Sequence, residues 1–290
     1  MISKKYIKEI ESLLNSENII KYEVLQISFD IACIKLQLSN NEIYIAKFYL
    51  NNKNSFNAIK SEYKNLLYLS KKFNFFPRII KFNNDYLIVQ FLENNTIKPS
   101  ATNKDFLEAI VKIHSISNNL YGFDFNTQIA AIEQINDYEN SWSNFYATKR
   151  INPIFELVNS QIDMGSEIND KIYYLIKNIK NFIPDKPSAL LLHGDMWEGN
   201  ILFKNNKFVG FIDPGTFFGH NEMEIAYLRW FMPRFIDNNF LIKYNEYIKI
   251  DKEYIEYEPV YQIYYALSNV ALWDKSYIKE VKRLINKIKI

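Results

Sequence analysis

Hydrophobic and polar residues alternate along the first third of the chain. The alternating segments cover residues 19–28, 31–39 and 42–50, and they are rich in β-branched and aromatic residues. This composition is typical of strands with one buried face. Asn40 and Asn41 separate the last two segments and are suited to a tight hairpin turn. The pattern therefore predicts a set of antiparallel strands at the start of the chain.

The spacing of apolar residues changes to three and four over residues 55–73, which predicts a helix. Two further apolar runs, residues 78–82 and 86–92, flank a second turn sequence, Asn-Asn-Asp at 83–85. The order is therefore three strands, one helix and two strands, ending near Glu93. We expect a small antiparallel sheet lobe with one helix.

Helical spacing dominates the rest of the chain. The composition shifts near residues 94–101, so we expect an N-terminal lobe at 1–93 and a C-terminal lobe at 94–290. Short strands are predicted only within residues 189–213. The fold class predicted is α+β, with a small sheet lobe followed by a larger, mainly helical lobe. Helices are predicted at about 137–150, 154–164, 167–182 and from 222 onwards.

Composition and charge narrow the range of functions. The formal net charge is only +2, so the basic excess of a nucleic-acid binder is missing. Cys33 is the single cysteine, which excludes an internal disulfide and a cysteine-rich zinc site. Charged residues interrupt the first apolar residues, and the longest apolar runs are too short to span a bilayer. We therefore expect a cytoplasmic protein with no nucleic-acid or membrane partner, and the sequence leaves its oligomeric state open.

Residues 191–226 concentrate the candidate chemistry. This stretch holds five of the seven glycines and two of the three histidines. Its core is Asp195, then Asn200 five residues later, then Asp213 at the end of a predicted strand. A carboxylate can orient an acceptor hydroxyl and take its proton, and Mg²⁺ prefers hard oxygen ligands. The set is suited to phosphoryl transfer, and its spacing equals that of the protein-kinase catalytic loop.

Phosphoryl transfer also needs an upstream lysine on a strand, paired with a helix glutamate. Lys47 lies in a predicted strand and Glu62 in the helix that follows. Each residue alone is more simply a surface side chain. Their order along the chain, together with the later Asp and Asn, favours a kinase.

The segments HGDMWEGN (193–200) and DPGTFFGHNEMEIA (213–226) resemble signatures of the fructosamine kinase (ketosamine-3-kinase) family. That family lies within the aminoglycoside phosphotransferase/choline kinase superfamily, which has a protein-kinase-like fold. The resemblance therefore implies a two-lobed, protein-kinase-like α+β fold, with a nucleotide-binding lobe at 1–93 and a catalytic and substrate-binding lobe at 94–290. Residues 121–127, 141–151 and 260–269 also resemble family segments. The resemblance implies ATP-dependent phosphorylation of a sugar hydroxyl on a ketoamine, the adduct of a sugar with a small amine or a protein lysine.

The resemblance also implies roles for individual residues, with ATP and Mg²⁺ as cofactors. Asp195 would be the catalytic base, and Asn200 and Asp213 would bind Mg²⁺. Lys47 and Glu62 would form the phosphate-binding pair. The hinge that receives adenine would be Gln90, Phe91, Leu92 and Glu93, and the substrate-side residues would be Trp197, His220 and Glu222.

The chain departs from the family pattern at three places. No glycine occurs at residues 28–34, where the nucleotide-covering loop is expected. Glu198 follows Trp197 where the family has a small residue, and Ser268-Asn269 stands where the family has Asn-His. Glu224 is expected to anchor the helix that follows it.

Three other interpretations stay open from the sequence. The first is another small-molecule kinase of the same fold, acting on an aminoglycoside, an amino alcohol or another sugar. The second is a non-catalytic binding protein whose glycine-free loop does not hold ATP productively. The third is a metal-dependent hydrolase built on His193, Asp195 and His220, for which the segment supplies few ligands.

Overall fold

A five-stranded antiparallel sheet forms the small lobe of the protein. The computed structural model describes residues 2–15, 17–51, 56–95 and 103–290. The strand order is β1-β2-β3-β5-β4, and every neighbouring pair is antiparallel. All five strands predicted for this lobe are present. They are β1 (Ile19–Ser28), β2 (Ile31–Leu38), β3 (Ile43–Tyr49), β4 (Ile79–Phe82) and β5 (Tyr86–Gln90).

Two helices cover the sheet, α1 (Lys4–Leu13) and α2 (Ala58–Leu69). Alternate residues of β2, β3 and β5 pack with Ile10 of α1 in a separate apolar cluster, as the two-residue period of a strand requires. The hydrophobic pattern predicted α2 but not α1. Half of the ten residues of α1 are charged and only Ile10 is buried, so its apolar signal is weak. The predicted start of α2, residue 55, lies outside the described residues.

Residues 91–95 lead from β5 towards the large lobe without regular structure, apart from a bridge between Asn95 and Phe203. Most of the predicted lobe boundary, residues 96–101, lies outside the described part of the chain. The division after residue 93 therefore stays a prediction.

The large lobe is mainly helical. Helix α4 continues directly into a π-helix at Ala147–Ile151, so the helical part of the predicted 137–150 segment begins five residues later than expected. The helices are α3 (Lys104–His114), α4 (Trp142–Tyr146), α5 (Asn152–Gln161), α6 (Ser166–Lys177), α7 (Asn221–Phe231), α8 (Asn238–Asn245), α9 (Tyr254–Leu272) and α10 (Ile278–Ile285), with 3₁₀ turns at Ile179–Asn181, Glu198–Asn200 and Lys275–Tyr277.

In the described part of this lobe, seven short strands are inserted among the helices. Strands β10 and β11 form a hairpin, β7 pairs with β8, and β9 lies between β6 and β12. They are β6 (Ser117–Asn118), β7 (Thr127–Ile129), β8 (Ile132–Gln134), β9 (Ala189–Leu192), β10 (Ile201–Lys204), β11 (Lys207–Phe211) and β12 (Phe217–Gly219).

Helix α9 lies at the centre of the large lobe. Most of its residues are buried, including five tyrosines, and it packs against α5, α7 and α10. This core accounts for much of the aromatic content of the chain, since large rings fill space between helices. Among the described residues, the helices fall short of the length and apolar content that a membrane crossing requires.

Candidate active site

A β-hairpin brings Asn200 and Asp213 together. Ile201 at the start of β10 pairs with Phe211 at the end of β11, so the residues just outside this pair lie at the same open end. The backbone N–H of Ile212 donates to the carbonyl of Asn200 at 3.1 Å. Strand pairing therefore brings together Asn200 and Asp213, which are thirteen positions apart in the sequence.

A second strand pair places the loop after β9 against the loop after β11. The N–H of Gly215 donates to the carbonyl of His193 at 2.9 Å. Gly194 has a φ of +88°, and a Cβ there would lie 2.0 Å from the Gly215 carbonyl oxygen. Only glycine fits this contact, because an added methyl group would overlap the opposite loop. Asp195 and Asp213 each lie within two residues of the contact.

Asp195 is partly buried and is bound by donors on both sides of its carboxylate. The amide Nδ2 of Asn200 donates to the backbone carbonyl of Asp195 at 2.8 Å and to Oδ2 at 3.3 Å, and the Tyr227 hydroxyl donates to Oδ1 at 3.4 Å. Burial, with the nearby charge of Asp213, raises the pKa of Asp195 from 3.8 to about 7. A carboxyl with such a pKa can exchange a proton near neutral pH.

Lys47 joins the small lobe to the loop after β11. Its Nζ lies 2.9 Å from both carboxylate oxygens of Glu62 in α2, and it also contacts Oδ1 of Asp213. Burial alone would lower the pKa of Lys47, but the charges of Asp213 and Glu62 more than offset it and raise the pKa. The strand lysine, the helix glutamate and the strand-end aspartate predicted from the sequence therefore meet at one point.

The donor set fits a cation that retains water and takes phosphate oxygens. Asn200 uses its Nδ2 towards Asp195, and Asp213 uses Oδ1 towards Lys47, which leaves the amide Oδ1 and the carboxylate Oδ2 as hard oxygen donors. No cluster of three or more His, Cys, Asp or Glu side chains that could hold a metal occurs among the described residues. This arrangement suits Mg²⁺ with a nucleotide better than a hydrolytic metal centre.

Glu224 holds the loop that carries Asp195, a role the sequence pattern did not indicate. The carboxylate accepts the backbone N–H groups of His193 (3.1 Å) and Gly194 (2.7 Å), and it also binds Nε2 of His114. Glu224 was predicted to anchor the following helix, α7, and instead it anchors the loop from inside that helix. Its one sequence signal is a charged residue next to the apolar residues Met223 and Ile225, which are both buried.

His220 and Glu222 are buried between α7 and α9. His220 Nδ1 accepts from the Tyr261 hydroxyl at 2.8 Å, and Glu222 accepts from the Tyr257 hydroxyl and from the N–H of Asp251. These contacts connect the start of α7 to the core. Their predicted role, close to the substrate cleft or in support of it, stays a prediction.

Trp197 and the hinge lie nearer the surface. Trp197 is 38% exposed and packs against Phe231, with ring centroids 5.7 Å apart. In the hinge, Gln90 Oε1 accepts from Arg78 Nε at 3.2 Å, and Glu93 forms an ion pair with Lys204 at 2.7 Å. Phe91 and Leu92 lie between these two residues in chain without regular secondary structure.

The turn between β1 and β2 is built without glycine. Phe29 and Asp30 both adopt positive φ, +52° and +60°. The Phe29 ring lies 5.2 Å from the ring of Trp273 at the end of α9, in an edge-to-face contact. The tip of this hairpin therefore contacts the large lobe through a side chain.

Comparisons with known proteins agree with this geometry. The family described as "Fructosamine kinase" matches residues 12–290. The protein named "probable ketoamine kinase" in Enterococcus faecium is 26% identical over 211 residues, covering 69% of this chain and 70% of the relative. The mouse ketosamine-3-kinase is 33% identical over a shorter region of 112 residues, 37% of this chain and 34% of the relative.

Solved structures share the fold. The crystal structure of a fructosamine-3-kinase candidate from Thermobifida fusca superposes with a TM-score of 0.85 at 17% identity, covering 99% of both chains. An ADP-bound aminoglycoside phosphotransferase superposes with a TM-score of 0.66 at 14% identity, covering 99% of this chain and 98% of the other. At these identities the superpositions establish the fold, and they confirm the predicted α+β, two-lobed, kinase-like class.

Proposed function

This chain belongs to the fructosamine kinase family, and we propose that it transfers the terminal phosphoryl group of ATP to a sugar hydroxyl of a ketosamine. The observation that carries the proposal is the meeting of Lys47, Glu62 and Asp213 beside the loop of Asp195 and Asn200. Relatives that cover about 70% of this chain are named ketoamine kinases, which supports the choice of acceptor.

Asp195 acts as the base in this proposal. It orients the acceptor hydroxyl and accepts its proton as the new oxygen–phosphorus bond forms, while the bond from the terminal phosphorus to the bridging oxygen breaks and ADP leaves. Its pKa, raised by burial and by Asp213, allows it to receive a proton and to release it again near neutral pH. Asn200 supports the carboxylate by donating to Oδ2.

Asn200 Oδ1 and Asp213 Oδ2 would hold Mg²⁺, since both are hard oxygen donors at the open end of one hairpin. Bound Mg²⁺ would neutralise negative charge on the phosphate oxygens. Lys47 would bind the phosphates as a fixed positive charge, held in place by Glu62. Lys47 also contacts Asp213. The same lysine can therefore bind the phosphates and hold the aspartate that would bind Mg²⁺.

Adenine would be received by the backbone of residues 90–93, which lie at the end of β5 where the chain leads towards the large lobe. The glycine-free turn at Phe29 and Asp30 would cover the phosphates with side chains as well as backbone. On the acceptor side, the exposed ring of Trp197 is suited to pack against the C–H-rich face of a sugar. His220 and Glu222 would support this side from beneath, through α7.

The test is ATP turnover by the purified protein with Mg²⁺ and a panel of acceptors: fructose-lysine, ribulose-lysine, an aminoglycoside and choline. We expect turnover with a ketosamine and none with the Asp195→Asn variant. Turnover with an aminoglycoside or choline alone would retain the kinase and reject the ketosamine. Absence of turnover together with absence of ATP binding would reject the kinase and favour a binding protein.

A further inference from the structure

Tyr227 lies in α7 with its ring fixed from two sides. The ring is buried and stacks on Tyr265 of α9, with centroids 3.6 Å apart and planes within 5°. Phe231, one turn further along α7, contacts it edge-on at 5.3 Å. A ring held in this way has little freedom to turn, so the direction of its hydroxyl group is set by the packing of α7 on α9.

The Tyr227 hydroxyl donates to Oδ1 of Asp195 at 3.4 Å, while Asn200 Nδ2 donates to Oδ2 at 3.3 Å. Each donor holds one oxygen, and together they oppose rotation of the carboxylate about its Cβ–Cγ bond. Both distances are at the long end for hydrogen bonds, as is common in active sites before substrate binds. Removal of either donor leaves the carboxylate held at one oxygen only.

The Tyr227 ring is also connected, through Phe231, to Trp197, the residue proposed to receive the sugar. Phe231 packs on Trp197 as well as on Tyr227, so the three rings form one row. Trp197 is two residues from Asp195 in the same loop. The packing that fixes the tyrosine hydroxyl therefore also supports the exposed ring proposed to receive the sugar.

We infer that Tyr227 is a positioning residue for phosphoryl transfer: its hydroxyl fixes the Asp195 carboxylate in the orientation that receives the acceptor proton. The inference rests on the proposed function for the identity of the acceptor. Tyr227 acts through Asp195, because its hydroxyl donates a hydrogen bond to that carboxylate.

Tyr227→Phe tests the hydroxyl alone, since phenylalanine keeps the stack on Tyr265. A hydrogen bond to a charged group is worth enough to lower kcat by about tenfold in the variant. KM for ATP should stay at the wild-type value, because Tyr227 does not contact Lys47 or the hinge. The matched control is Tyr265→Phe, which removes the hydroxyl from the other ring of the same stack and should leave kcat unchanged.

A second measurement is independent of turnover. Crystal structures of the wild type and of Tyr227→Phe should show a rotated Asp195 carboxylate in the variant and an unchanged backbone around it. The inference is overturned if the carboxylate keeps its orientation, if kcat stays within about twofold of wild type, or if the Tyr265→Phe control lowers kcat equally.

These outcomes are separate from those of the proposed function. If the wild type phosphorylates an acceptor other than a ketosamine, kcat of wild type and of Tyr227→Phe is measured with that acceptor. The expected difference between the two proteins is again about tenfold. If it phosphorylates none of the panel, the proposed function fails, and the two crystal structures alone decide whether Tyr227 orients Asp195.

Discussion

Glu224 is one buried carboxylate with three donors around it. Two are backbone N–H groups of the loop that carries Asp195, and the third is His114 Nε2, whose other nitrogen accepts from the Tyr244 hydroxyl. Burial alone would raise the pKa of Glu224, but the hydrogen bond from His114 holds that pKa below its usual value. The ionised form is therefore part of the folded structure.

Glu224→Gln should lower the free energy of unfolding by about 2–3 kcal/mol, the value of hydrogen bonds to a buried charge. An amide offers one acceptor oxygen, so one of the two backbone N–H groups loses its partner, and kcat should fall as the Asp195 loop shifts. Urea denaturation and steady-state kinetics measure the two effects. The exposed Glu256→Gln serves as the control, and an unfolding free energy equal to wild type in Glu224→Gln would contradict the prediction.

His220 should make the protein sensitive to acid. Burial lowers its pKa from 6.5 to about 3, so the folded state keeps the imidazole neutral while the unfolded chain takes up a proton below about pH 6.5. Its stabilising contribution is complete above pH 6.5 and is lost as the pH falls towards 3. Between pH 7 and pH 5 the loss should be about 2 kcal/mol.

His220→Asn removes this titration and retains an acceptor for the Tyr261 hydroxyl. Between pH 7 and 5 the variant should lose about 2 kcal/mol less stability than wild type, measured by urea denaturation at each pH. Glu222, 3.5 Å from His220, has a pKa raised by burial to about 7 and so opposes this trend in both proteins. Parallel pH curves for the two proteins would show that His220 does not titrate as described.

A site residue can be predicted from the sequence when its side chain fits the reaction and its position fits a known order of strands and helices. Lys47, Glu62 and Asp213 could be chosen because each occupies a distinct place in a known order of strand, helix and strand end. Glu224 and Tyr227 could not, because their function depends on contacts with residues about thirty positions earlier, across the packing of α7 on the loop. No local pattern encodes such a contact.

The β1–β2 hairpin reaches the large lobe through Phe29, which contacts Trp273 beyond α9. A glycine-rich loop would be flexible and would bind phosphates by backbone alone. A hairpin without glycine is stiffer, and the aromatic contact holds its tip against the large lobe. The contact should therefore contribute to nucleotide binding without forming part of the core.

Phe29→Ala should raise KM for ATP several-fold while the unfolding temperature stays close to wild type, because the ring lies outside the apolar core. Trp273→Ala should have the same effect, and the double variant should be no worse than either single variant, since both remove one contact. Kinetics at varied ATP measure this, with the exposed Tyr247→Ala as control. Additive effects of the two substitutions would argue against a shared contact.

The hydrophobic pattern predicts a strand or helix best where that element buries one of its faces. The strands of the small lobe alternate clearly, because α1 covers one side of them. The two- and three-residue strands β6, β7, β8 and β12 were missed, since so few residues show no period and pair only after the lobe has folded. Helix α1 was missed because its surface is charged and its burial depends on the sheet.

The two lobes are joined at the site by the contact of Lys47 with Asp213, which links β3 to the loop after β11. A nucleotide bound there contacts both lobes and stabilises the folded state by mass action. At a concentration one hundred times the dissociation constant the gain is about 2.7 kcal/mol, or roughly 5 °C in unfolding temperature for a chain of this size.

ATP with Mg²⁺ should therefore raise the unfolding temperature of wild type, and Lys47→Ala should abolish the rise. The comparison uses the shift on adding nucleotide, because removing Lys47 also leaves the buried carboxylate of Glu62 and the partly exposed carboxylate of Asp213 without this partner and changes the starting temperature. Lys60→Ala, an exposed lysine on α2, should retain the full shift. Asp213→Asn separates the metal from the phosphates: it should retain a small shift with ATP alone and lose the additional shift that Mg²⁺ gives wild type. A full shift in Lys47→Ala would contradict the assignment of Lys47 to the phosphates of the nucleotide.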